Sequence, residues 1–149
     1  MVRSIVAVIA SYIAMAVLIM CLFMALWFGL GPNGLLKPGS FDGNLFFTIA
    51  APAITVIVGL GGGWMCAKIA RGTKPVIVLA VIVLVLGLTM TYFTLQKPEM
   101  TGVRDPAMTV QEIMKDGREP TWLAIFNPIA GALTVLIGGL CIAAPRKPS

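Results

Sequence analysis

The sequence predicts an all-α fold: a polytopic membrane protein built as a four-transmembrane-helix bundle, with residues 1–149 forming a single domain. Three observations predict it. Of 149 residues, 58% are hydrophobic and only 11% are charged, where soluble domains carry about a quarter charged; mean hydropathy is +0.96. The apolar residues gather in four runs, at about 4–30, 45–67, 75–95 and 122–144. Each run is long enough to cross a hydrocarbon core about 30 Å thick at 1.5 Å per residue. Finally, the 11 basic and 6 acidic side chains all fall outside the runs, and every acid falls on the same side of them. The stretches between runs, of which 96–121 is the longest, are too short to bury a core of their own.

The first run begins behind Arg3 and contains Ala14-Met15-Ala16, which imitates a signal-peptide cleavage site. Strong apolar sequence continues to Leu30, beyond the 7–15 residues of a signal-peptide core, so the run reads as an uncleaved span. The loop at 31–44 is full of turn formers, with Gly-Pro, Asn-Gly, Pro-Gly and Asp-Gly steps. In the second run small residues stand four apart, at Ala51, Thr55, Gly59, Gly63 and Ala67, and Gly61 and Gly62 widen the groove. Small residues let helix backbones approach closely in lipid, where no hydrophobic force drives helices together. In the fourth, Ala130, Thr134 and Gly138 form a second small-residue file, with Gly131 and Gly139 beside it. The two files suit packing of spans two and four, or a seam between two copies of the chain.

Thr55-Val-Ile-Val-Gly59 echoes Thr134-Val-Leu-Ile-Gly138, each with a proline upstream and a cysteine downstream. Two tandem helical hairpins would explain the echo. Pro128 lies inside the fourth run and cannot donate to the Ala124 carbonyl, so a kink or a loosened turn is expected there. Asn127, just before it, is the one amide side chain in any run, roughly 8 Å in from Trp122. It can join an interhelical hydrogen bond, satisfy the loosened turn, or contact a polar ligand. In the outer segment 96–121, Thr109-Val-Gln-Glu112 fits a capping box and Gly117 a helix stop, with Val110, Ile113 and Met114 on one face. This predicts a short outer amphipathic helix that covers the bundle or docks a partner.

Orientation follows from charge. With four spans, Arg3, Lys68, Arg71, Lys74, Arg146 and Lys147 share one side without an acid. The other side has Lys37, Lys97, Arg104, Lys115 and Arg118 against Asp42, Glu99, Asp105, Glu112, Asp116 and Glu119. Dense basic residues at span ends mark the cytoplasmic face, so both termini are expected inside. Lys68, Arg71 and Lys74 are expected to meet anionic lipid headgroups. Trp27, Phe28, Phe46, Phe47, Tyr92, Phe93 and Trp122 form an outer aromatic band, and Trp64 an inner one.

The chain has no histidine, which removes the usual haem ligand, a common zinc ligand and the most frequent general base. Cys21, Cys66 and Cys141 make no C-x-x-C pair and read as buried structural thiols. No acid lies in a span, so an intramembrane proton relay lacks its carboxylate; the outer acids read as a solvated charged face. Met100, Met108 and Met114 are too loosely spaced for a copper site. No cofactor, metal or nucleic-acid partner is expected, and no enzymatic activity.

The segment Gly62-Gly63-Trp64-Met65-Cys66-Ala67-Lys68-Ile69-Ala70-Arg71 resembles uncharacterised small bacterial four-span integral membrane proteins. In these, paired glycines and an aromatic residue precede an Ala-x-Ile-Ala-Arg exit from span two. The resemblance implies a bacterial cytoplasmic (inner) membrane protein and carries no activity. Two functions lead: an accessory or assembly subunit that binds other membrane proteins, and a small homo-oligomeric channel or transporter with a polar path past Thr55, Asn127 and Thr134; a membrane-bound enzyme using outer-loop carboxylates is a weaker third.

Overall fold

A computed structural model describes residues 2–96, 108–109, 111–113, 117 and 119–143. Lys97, Glu99, Met100, Arg104, Asp105, Val110, Met114, Lys115, Asp116, Arg118, Arg146 and Lys147, used in the charge and loop readings, lie outside the described residues.

Four long helices carry the fold: α1 (Val2–Leu35), α2 (Leu45–Ala70), α3 (Lys74–Leu95) and α4 (Thr121–Ala143). All four are long and apolar enough to cross a membrane, and the protein is an all-α, multi-pass membrane bundle. Ile9, Ile13, Ile57, Leu133 and Ile137 are each more than half exposed. In water such a surface would be an association liability; against lipid tails it is the expected exterior.

α2 packs most extensively on α4; α1 flanks α2, α3 flanks α4, and α1 meets α3. The ring order is therefore α1–α2–α4–α3, with α2 and α4 running in the same direction. Ala7, Val8, Met15, Val58, Cys66, Val76, Leu79, Ala132 and Val135 fill the centre. Exchanging the two hairpins by symmetry would set Gly138 against Thr55, since Gly59 meets Thr134. Gly138 instead meets the Leu60 backbone, so the seam does not follow the sequence echo.

The predicted end of the first span is visible as a break in α1. Gly31 adopts φ 67° and ψ 175°, a backbone region that an L side chain resists, and Pro32 opens a further turn. The loop that follows is a packed corner. Asn44 holds it together: its Oδ1 accepts from the Phe47 N–H (2.9 Å), its Nδ2 donates to the Gly34 carbonyl (2.7 Å), and its N–H donates to the Leu35 carbonyl (2.9 Å). One residue thereby caps α2 and fastens it to the end of α1.

Trp27, Leu35, Leu36 and Ile113 form a second apolar cluster over this end. The expected capping box is present: Glu112 Oε2 accepts from the Thr109 N–H and Oγ1, both at 2.8 Å. Ile113, 4% exposed, is buried in one cluster with Trp27, Leu35 and Leu36, so this residue covers its own bundle. Trp27, expected in the interfacial band, is 6% exposed and belongs to the cap instead. Phe28, Tyr92, Phe93 and Trp122 do remain outward.

Candidate functional site: Pro128 and its cavity

α4 uses its faces differently. Toward α2, the small residues close a seam with no room to spare. A Cβ on Gly59 would overlap the Thr134 hydroxyl, one on Gly63 the Val135 carbonyl, and one on Gly138 the Leu60 carbonyl. Ala51 and Ala67 are buried along α2. Thr134 donates to the Ala130 (2.8 Å) and Gly131 (3.0 Å) carbonyls, and Thr55 to the Ala51 carbonyl (3.1 Å).

The remaining glycines divide among other neighbours. Gly131 lies between Val83 of α3 and Thr55 of α2, and Gly139 has Val76 of α3 against it. Gly62 admits Met15 of α1, and Gly61 faces open space. The expectation that Gly61 and Gly62 together widen one groove is thus corrected, because a step of about 100° per residue sends them to different neighbours.

Toward α3, α4 carries Pro128, and α3 is shaped to receive it. The proline ring leaves no space for a Cβ at Gly87. One turn further along α3, the buried Thr91 hydroxyl donates to the Ala124 carbonyl at 2.7 Å. That carbonyl is the one deprived of its helical partner by Pro128. The loosened turn is therefore satisfied across the helix pair by Thr91, and Asn127 is left for something else. Gly87 and Thr91, four apart, are the sequence signal for this arrangement. It is a faint one, because a glycine and a threonine are ordinary in an apolar span.

Around Pro128 lies a cavity of about 250 Å³, lined mostly by apolar surface from all four helices, including Met15, Ile19, Val83 and Met90. Its polar groups come from Thr55, Thr91, Thr94, Asn127 and Glu119. Thr134, expected on a polar path, belongs to the α2–α4 seam and does not line this cavity.

Glu119 departs furthest from expectation. Instead of joining a solvated outer face, it is folded back at the start of α4, where its Oε2 accepts from Asn127 Nδ2 at 3.2 Å. Burial pushes its carboxyl above the ordinary value, and the Asn127 hydrogen bond pulls part of the way back. The eight-residue separation is about two helical turns, yet nothing in the local pattern marks this acid as inward-facing. Asn127 Oδ1 is buried and has no hydrogen-bond partner among the described residues, a state that costs about 1–3 kcal/mol.

The basic end holds the expected headgroup residues. Lys68, Arg71 and Lys74 are all exposed, Lys68 Nζ standing 4.5 Å from the Trp64 ring centroid. Arg71 closes α2 in the left-handed conformation (φ 55°), its N–H donating to the Ala67 carbonyl at 2.9 Å. Of the cysteines only Cys66 is buried; Cys21 and Cys141 are exposed on the outside of their helices, which corrects the expectation of three buried thiols. Among the described residues no three His, Cys, Asp or Glu side chains converge on a metal position.

No protein-family model, curated protein or solved structure matches the chain.

Proposed function

We propose that this protein is a small channel or transporter of the bacterial cytoplasmic membrane, with both termini inside and the Glu119 end facing out. Its cavity takes a small, mainly apolar solute bearing one cationic or hydrogen-bond-donating group. The observation that carries this reading is the pairing of Glu119 with Asn127 at an apolar cavity of about 250 Å³. The carboxylate and the unpartnered amide oxygen are both acceptors, so the complementary solute is a donor such as an organic ammonium. Pro128 gives α4 a point at which the cavity can open.

The test is uptake of a panel of organic amines and inorganic cations into liposomes holding the purified protein. Flux that falls at least tenfold on Asn127→Leu and on Glu119→Gln supports the reading. Absence of both flux and binding across the panel rejects it.

The accessory-subunit reading keeps one observation of its own. Gly61 meets nothing within 4 Å, on an exposed face of α2 between Ile57 and Trp64, where a partner helix could approach closely. The other glycines of α2, Gly59, Gly62 and Gly63, are consumed within the bundle. Gentle extraction followed by native mass spectrometry tests it: a heteromeric complex supports a subunit, and a lone monomer removes that reading.

A further inference from the structure

A second cavity, of about 380 Å³, opens between α1 and α3 at the opposite, basic end of the bundle. Ser4, Ile5, Val8 and Ile9 form one wall and Lys74, Pro75, Val78 and Ile82 the other. Ile5, Ile9 and Val78 are each at least half exposed, so the groove faces the surface that lipid tails cover. From Lys74 to Ile82 it runs about 12 Å along α3 at the helical rise, the direction an acyl chain takes from its headgroup.

Charge at the mouth selects the headgroup. Arg3, Lys68, Arg71 and Lys74 surround this end, and no acid lies in the described segments there. Two of the four are already engaged: Arg3 Nε donates to the Ile69 carbonyl at 2.7 Å, and Lys68 lies over Trp64. Lys74 has no ion-pair partner among the described residues and stands on the rim of the groove. α3 also begins here, Thr73 giving no side-chain cap, so the positive end of its dipole adds to the lysine charge.

We propose that this groove is a binding site for one anionic phospholipid, with an acyl chain between α1 and α3 and the phosphate against Lys74. General attraction of a basic surface to anionic lipid is worth about 1 kcal/mol per basic residue and requires no groove. The site differs by needing the apolar walls and Lys74 together.

The full chain is purified in detergent and titrated with phosphatidylglycerol or phosphatidylcholine, with bound lipid counted by native mass spectrometry. One phosphatidylglycerol is expected to bind at least tenfold tighter than phosphatidylcholine. Lys74→Gln should abolish that preference. Val78→Trp, which fills the groove at an exposed position and leaves every charge intact, should abolish it too. Lys68→Gln should change it by less than twofold. Equal losses from Lys68→Gln and Lys74→Gln, with none from Val78→Trp, would mean diffuse surface charge and overturn the site. Full competition by millimolar inorganic phosphate with Val78→Trp silent would mean a free-anion site and overturn it equally.

Discussion

The two sides of α4 solve opposite problems with similar residues. Against α2, Gly59, Gly63, Thr134 and Gly138 bring two parallel backbones together until a single methyl group would collide with a neighbour. Against α3, Gly87 makes room for the Pro128 ring and Thr91 repairs the bond that the proline removed. Glycine on the first side closes space; on the second it accommodates a proline ring beside which a cavity remains. The comparison shows that a small residue in a membrane helix does not by itself announce a contact. What matters is whether the partner offers a flat backbone or an irregular side chain.

The largest expected effect breaks the closed side. Gly63→Ala sets a methyl group into the Val135 carbonyl and should destabilise the bundle by about 1–3 kcal/mol or more. Gly61→Ala, which meets nothing, should stay within about 0.5 kcal/mol. Reversible unfolding in mixed micelles measures both. Equal costs at the two positions would refute a close-packed α2–α4 seam.

A smaller effect probes the bent side. Thr91→Val orphans the Ala124 carbonyl and should cost about 1 kcal/mol. With Pro128→Ala in place, residue 128 regains an N–H for that carbonyl, and Thr91→Val should cost less than half as much. A double-mutant cycle reads the difference; purely additive costs would show that Thr91 does not serve the carbonyl that Pro128 leaves open.

The cavity mouth should respond to pH. Because burial raises the Glu119 pKa in the folded protein, the folded state holds a proton that the unfolded chain has released. The contribution of Glu119 to stability is therefore greatest at or below the ordinary glutamate value, about 4.3, and declines as pH climbs through the raised one. Glu119→Gln should flatten that decline in melting temperature. Asn127→Leu removes the hydrogen bond that favours the carboxylate, so it should move the decline to higher pH. A shift to lower pH would contradict the pairing.

The smallest effect concerns the outer cap. Glu112→Ala removes the two hydrogen bonds from Thr109 at a fully exposed site. The melting temperature should not move, while amide exchange at Ile113 should quicken. Unchanged exchange would mean that packing of Ile113 in the Trp27 cluster, rather than the cap, holds the segment.

Much of the outline is legible in the amino-acid sequence. Four spans, the break at Gly31, the Thr109–Glu112 box and the file from Ala51 to Ala67 follow from local rules: helix length against a bilayer, glycine at positive φ, capping stereochemistry, and four-residue spacing. The site is legible only in part. Asn127 and Pro128 stand out because polar groups and prolines are conspicuous in apolar runs. Thr91 and Glu119 do not, since a threonine in a span and an acid beyond its end are ordinary until their neighbours are known.

The sequence by itself determined that this chain forms four membrane-crossing helices with its basic excess crowded at one end, because hydropathy and charge act residue by residue. Only the tertiary structure decided which glycines meet which helix, that Trp27 and Ile113 build a cap, and that Glu119 turns inward to Asn127. Those outcomes depend on how helix faces rotate against one another. Within an apolar span every face is hydrophobic, so hydropathy does not specify that rotation; small-residue files, shape and a few hydrogen bonds do.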